Sequence, residues 1–254
     1  MNPMTTEQLL YIAIPPALLL ASGALALNRT PSARLRSGLL HFAAGVVFAV
    51  TAVEIIPDLL REHQPLETVI GFALGVLAML GLRSLTHQDE QLTRADSPLG
   101  AVAADAQGGP KLPVTLLVGV GVDLVVDGLL IGIGFAAGAK EGRLLALALT
   151  AELVSLGLAV GASLKSRSIT ARRGMGAIGA LAVTFVVGAS LGTTLLSNVS
   201  DHVLTVVLSF GAAALLFLVT EELLTEAHEE KETPAMTAMF FGGFLLFLVL
   251  GMVM

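Results

Sequence analysis

Apolar runs of about twenty residues separated by polar connections dominate the chain. They predict eight membrane-spanning helices at roughly 8–27, 38–60, 66–84, 112–138, 144–164, 174–197, 202–224 and 235–254. At 1.5 Å rise per residue, a run of that length crosses a hydrocarbon layer of about 30 Å. The first run, LLYIAIPPALLLASGALAL, follows Glu7 instead of a basic cluster, so it is expected to be a span and not a cleaved leader. Within the runs small residues recur, as at Gly128, Gly132, Gly134 and Gly138, a pattern that lets helix backbones approach closely. The expected fold is therefore an all-α polytopic membrane protein. A single transmembrane domain covers 1–254: helices 1–3 in 1–84, a connecting loop over 85–111, and helices 4–8 in 112–254.

Composition agrees with this pattern and adds constraints. Hydrophobic residues make up 55% of the chain and charged residues 13%, a balance outside that of soluble domains. Cysteine is absent, which excludes a disulfide framework and thiolate metal sites. One set of alternate connections holds eleven of the Lys and Arg residues, among them Arg34, Arg83, Arg94, Arg172 and Lys231, while the other holds only Arg61, Lys140 and Arg143. By the positive-inside rule both termini are expected outside, with the polar, Gly/Pro-containing 85–111 loop cytoplasmic. The basic residues are scattered among these loops, which gives no support for nucleic-acid binding.

Charge inside the spans changes the picture from architecture to chemistry. Apart from Asp58 near the end of the second span and Glu67 and Arg83 at the two ends of the third, six acids, Glu54, Asp123, Asp127, Glu152, Glu221 and Glu222, fall within or at the ends of spans, and no Lys or Arg does. An ionised carboxylate at the centre of a lipid layer costs roughly 3 kcal/mol on insertion scales, so these groups are expected to face an interior and to be neutralised by protons or a bound cation. Asp123 and Asp127 are four residues apart and so share one helix face. Two like charges placed this way repel unless a metal lies between them or one is protonated. The fourth and fifth spans echo each other, DGLLIGIGF against LGLAVGASL at an offset of 29, which sets Asp123 opposite Glu152. A second echo aligns FAAGVVFAVTAVEIIPD (42–58) with FGAAALLFLVTEELLTE (210–226) at an offset of 168. It matches Phe42 to Phe210, Glu54 to Glu222 and Asp58 to Glu226. Since the second and seventh spans run in opposite directions, helices 1–3 and 6–8 are expected to form an inverted repeat around helices 4–5, as in transporters with a midplane site.

These residues resemble the ZIP (Zrt- and Irt-like protein) family of divalent metal transporters. DLVVDGLLIGIGF is similar to the family's fourth-span pattern, with Asp123 where a His is usual and Asp127-Gly128 as the acid-Gly pair. ELVSLGLAV is similar to the fifth-span pattern, with Glu152 at the leading His position and Gly157 at the Gly. HFAAGVVFAVTAVEIIPD and FLVTEELLTEAHEE resemble the second and seventh spans, which line the path in the family. The departures are Leu124, Val126, Leu153, Ser155 and Leu156, where the family carries polar residues or prolines. The motifs thus support one site, made by Asp123, Asp127 and Glu152 with water or the Ser155 hydroxyl, and Glu54, Glu222 and Glu221 as path or second-site ligands. The resemblance implies uptake toward the cytoplasm and zinc or a neighbouring transition metal. An all-oxygen ligand set independently favours harder cations such as manganese, magnesium or ferrous iron. The metal is substrate; no resident cofactor is expected, and the lipid of a bacterial inner, or plasma, membrane is the other partner.

Two other classes fit the same acids: a proton-coupled antiporter or exporter, and a metal-sensing membrane protein without turnover. An enzyme fits least, because, His202 at the first residue of the seventh span aside, His41 at a span edge is the only span histidine from which a nucleophile-base pair could be built. His41, His63, His87 and His202 read as interfacial or surface residues, and His228 as part of an acidic helix end, TEAHEEKE, whose field attracts cations. The Gly-rich faces leave room for a homodimer.

Overall fold

The computed structural model describes residues 6–88, 112–196, 199–228, 230 and 233–253. Eight long apolar helices account for nearly all of them: α1 (Thr6–Asn28), α2 (Ala33–Glu62), α3 (Pro65–Gln88), α4 (Val114–Ala137), α5 (Ala139–Ser166), α6 (Ala171–Leu195), α7 (Asp201–Ala227) and α8 (Pro234–Val253). The expected loop at 85–111 is helical as far as Gln88, and its remainder lies outside the described residues. The expected connection between α4 and α5 is shorter than the hydropathy pattern implies. Only Gly138, in extended backbone, separates the two helices, and Ala-Lys-Glu-Gly-Arg forms the first turn of α5. Hydropathy marks where a helix leaves lipid, not where its hydrogen bonds stop, and at 28 residues α5 is about 42 Å long, enough to carry charged ends beyond the hydrocarbon.

α5 is the most enclosed helix, with 83% of its apolar window buried against 11% for α8. It packs with α1, α2 and α4, while α4 packs with α6, so that α1, α4, α5 and α6 form a central unit. The pairs α2–α8 and α3–α7 flank that unit. Exchanging α1 with α6, α2 with α7, α3 with α8 and α4 with α5 maps α1–α5 onto α4–α6 and α2–α8 onto α3–α7 and leaves α4–α5 as itself, which is the relation expected of an inverted repeat.

Individual contacts obey the same exchange. A side chain at Gly128 would collide with the Phe185 carbonyl oxygen and the Ala189 nitrogen, whereas one at Gly157 would collide with the Leu19 carbonyl oxygen and approach the Gly23 nitrogen. Gly128 and Gly157 are related by 29, and Leu19 to Phe185 and Gly23 to Ala189 are both related by 166. In the flanking pairs, Gly75 lies on the Phe210 carbonyl and Gly243 on the Phe42 carbonyl, and an offset of 168 relates both partners. Gly128 and Gly132 are thus engaged inside the chain against α6, so this stripe is not a free dimer surface.

α2 and α7 share one irregularity. Each contains a π-helical stretch, Thr51–Ile55 in α2 and Leu218–Leu223 in α7, in which the backbone holds one extra residue per turn. The Ile56 N–H donates to the Thr51 carbonyl and the Leu224 N–H to that of Val219, equivalent bonds at the offset of 168. In α2, Pro57 follows and has no N–H to continue the α-helical ladder. At the matching position in α7 the Thr225 hydroxyl donates to the Thr220 carbonyl, 3.2 Å. These stretches re-aim Glu54 and Glu222, which fall at equivalent positions within them.

Candidate metal centre

α4 and α5 bring Asp123, Asp127 and Glu152 together. Each offers a carboxylate oxygen, and these oxygens lie within 4.8 Å of one another. All three side chains are buried, Asp127 at 1% exposure and Glu152 at 4%. The helical spacing of the two aspartates supplies one edge of the triangle, and the packing of α5 beside α4 supplies the third corner. Leu124, Leu153 and Leu156, at the positions where the sequence departs from the usual motifs, are buried in the apolar core. The Ser155 hydroxyl is buried and donates to the Ala151 carbonyl of its own helix, 3.4 Å.

Electrostatics defines what this arrangement requires. One oxygen of Asp127 and one of Glu152 have no hydrogen-bond partner among the described residues. No Lys, Arg or His of the described residues forms an ion pair with any of the three acids. Two unit charges 4.8 Å apart repel by roughly 3 kcal/mol even at an effective dielectric constant of about 20. Glu222 from α7 adds a fourth acid within electrostatic range of all three. A cation with metal–oxygen distances of about 2.1 Å bridges ligands up to about 4.2 Å apart, so adjustments below one ångström fit the triad around such an ion.

The remaining acids have other surroundings. Glu54, 12% exposed in its side chain, lies 3.1 Å from the Lys140 ammonium. Glu221 pairs with Arg83 at 2.5 Å and is about half exposed. The expectation that no basic residue compensates the span acids therefore fails for these two. Long basic side chains reach back from helix ends, and a residue count along the chain does not register that reach.

His41, expected at the interface, is buried at 4% exposure. Its Nδ1–H donates to the Ser37 carbonyl, 2.8 Å, and its ring meets that of His228 edge-on at 5.3 Å. Glu226 is buried one turn beyond Glu222 and within electrostatic range of it, so acids and histidines continue from the triad toward the α7–α8 end. The signal for Glu226 was present in the repeat, which pairs it with Asp58; burial of His41 had no such signal. His63 and His202 are exposed, as expected, and the side chain of His87 lies outside the described residues.

A protein-family model described as ZIP Zinc transporter matches residues 86–251, about two thirds of the chain, and includes all three acids of the triad. A comparison with curated proteins gave no match. The helices before the matched stretch are those that the inverted repeat relates to α6–α8. With eight helices among the described residues long and apolar enough to cross a membrane and with this match, the chain belongs to the ZIP zinc transporter family, whose members are membrane transporters of metal ions and not enzymes.

Proposed function

We propose that the chain takes up a divalent cation of the first transition row, zinc or manganese/iron, into the cytoplasm across a bacterial inner, or plasma, membrane. The ion is held in mid-membrane between Asp123, Asp127 and Glu152. The observation that carries this reading is the convergence of three buried carboxylates from two helices, with no Lys, Arg or His of the described residues paired to them. The ion arrives from the end bearing the α4–α5 corner and leaves past Glu222 and Glu226 toward the end bearing the α7–α8 connection, which the Lys/Arg distribution makes cytoplasmic. Asp127 and Glu152 supply the anionic oxygens that replace the ion's hydration, and the glycine contacts of α4 and α5 keep those oxygens on one rigid unit. Access alternates as the α1/α4/α5/α6 unit moves against the flanking pairs α2–α8 and α3–α7.

The test is uptake of manganese and zinc into vesicles holding the purified protein. Asp127→Asn keeps the side-chain volume and removes the charge, and it is expected to lower uptake at least about 100-fold while the protein remains folded. Wild-type uptake by this variant contradicts the site. Dependence of flux on an imposed pH gradient separates simple uptake from proton-coupled exchange.

A further inference from the structure

Lys140 stands where the inverted repeat would otherwise leave an open acid. Offset by 168, Glu54 is the counterpart of Glu222 and Asp58 of Glu226, so the two ends of the bundle begin with the same pair of acids. At the α7–α8 end the nearby base, Arg83, pairs with Glu221, whose counterpart in α2 is the uncharged Val53. At the other end Lys140 lies 3.1 Å from Glu54 itself. The Glu54 carboxylate is also placed by α8, for any side chain at Gly251 would come within 2.5 Å of its Oε1.

The two partners belong to different bodies. Lys140 is in the first turn of α5, just past the one-residue corner with α4, on the unit that carries the triad, and Glu54 is on α2 of the flanking α2–α8 pair. They face a cavity of about 370 Å³ that Asp58, Arg61 and Glu141 also line, in which Arg61 bonds to Asp58 at 3.0 Å. A second pocket, which shares Asp58 and Glu141 with this mouth and is otherwise walled by residues including Ile55, Leu130, Leu208 and Leu215, offers only about 10 Å³, too little for a hydrated ion.

We propose that Lys140 is a tethered counter-cation that holds this mouth shut: its ammonium occupies the Glu54 carboxylate, and an arriving divalent ion displaces it, freeing the α4–α5 corner to part from α2. Lys140 thereby sets the cation concentration at which uptake begins. The direction of travel rests on the uptake reading above, whereas the displacement itself does not.

Amine acylation of the purified full chain, read at each lysine by mass spectrometry, tests this directly. At matched ionic strength, manganese is expected to speed modification of Lys140 several-fold over sodium and to leave Lys165, whose ammonium sits on the Asn28 carbonyl at the far end, unchanged. Glu54→Gln is expected to make Lys140 react fast with or without manganese, and Asp127→Asn to keep the wild-type response. Lys140 reactivity that ignores manganese in the wild type, or a response lost in Asp127→Asn, overturns the proposal. In vesicles Lys140→Gln is expected to lower the half-saturating manganese concentration about three- to ten-fold. Absence of uptake by the wild type, with the labelling pattern as expected, refutes the transport reading and not this one.

Discussion

The α2 end and the α7 end of the bundle are built from one pattern and finished differently. Both helices carry a π-helical stretch, both present a glutamate from it and an acid one turn later, and both rest on a glycine-bearing partner helix. At the α2 end the glutamate is neutralised by Lys140, and the pocket beside Asp58 and Glu141 is narrow and mostly apolar. At the α7 end Glu222 faces the triad, and buried Glu226 and His41 continue the polar line. Twofold architecture supplies two equivalent ends; a few side chains decide which one is occupied by the protein's own charge. The lesson is that a repeat predicts backbone and packing more faithfully than it predicts electrostatics.

Five substitutions break or sharpen that comparison. The largest effect is expected for Gly128→Leu and Gly157→Leu, because each drives a side chain into a neighbouring backbone, α6 in one case and α1 in the other. Both are expected to abolish the yield of folded protein in detergent, measured by gel filtration, and to do so equally if the contacts are truly equivalent. Unequal loss would show that the two halves bear different loads. Next, Glu222→Gln is expected to reduce vesicle uptake roughly ten-fold, and Glu54→Gln by about three-fold or less, since Glu54 already carries a bound ammonium. Equal effects would erase the distinction between the ends. Smallest is Thr225→Ala, which removes the hydroxyl bonded to the Thr220 carbonyl and is expected to cost about 1 kcal/mol in unfolding by denaturant.

Much of this was legible before any coordinates. Apolar run lengths mark all eight spans, because a lipid layer forces helix and sets its length. The i,i+4 spacing of Asp123 and Asp127 and the offset of 29 to Glu152 place three acids at one depth, since helix geometry and repeat symmetry are both local to sequence. What escaped depends on reach and on partners far along the chain. Lys140 stands outside the scanned spans and Arg83 at the very end of one, yet their charged groups return to Glu54 and Glu221. The π-helical stretch of α2 has a cue in Pro57, but that of α7 has none except its alignment with α2. His41 is buried because α7 and α8 close over the start of α2, a contact some 190 residues distant in sequence, as the bond from Ser37 Oγ to the Ala227 carbonyl shows.

The central claim is that three buried carboxylates hold a single divalent ion. The most direct measurement is the metal content of purified protein after equilibration with manganese or zinc, compared with Asp123→Asn/Asp127→Asn/Glu152→Gln. The account predicts about one strongly held ion per chain in the wild type and its loss in the triple variant, with helical content unchanged by circular dichroism. Equal metal content in the two proteins would contradict it.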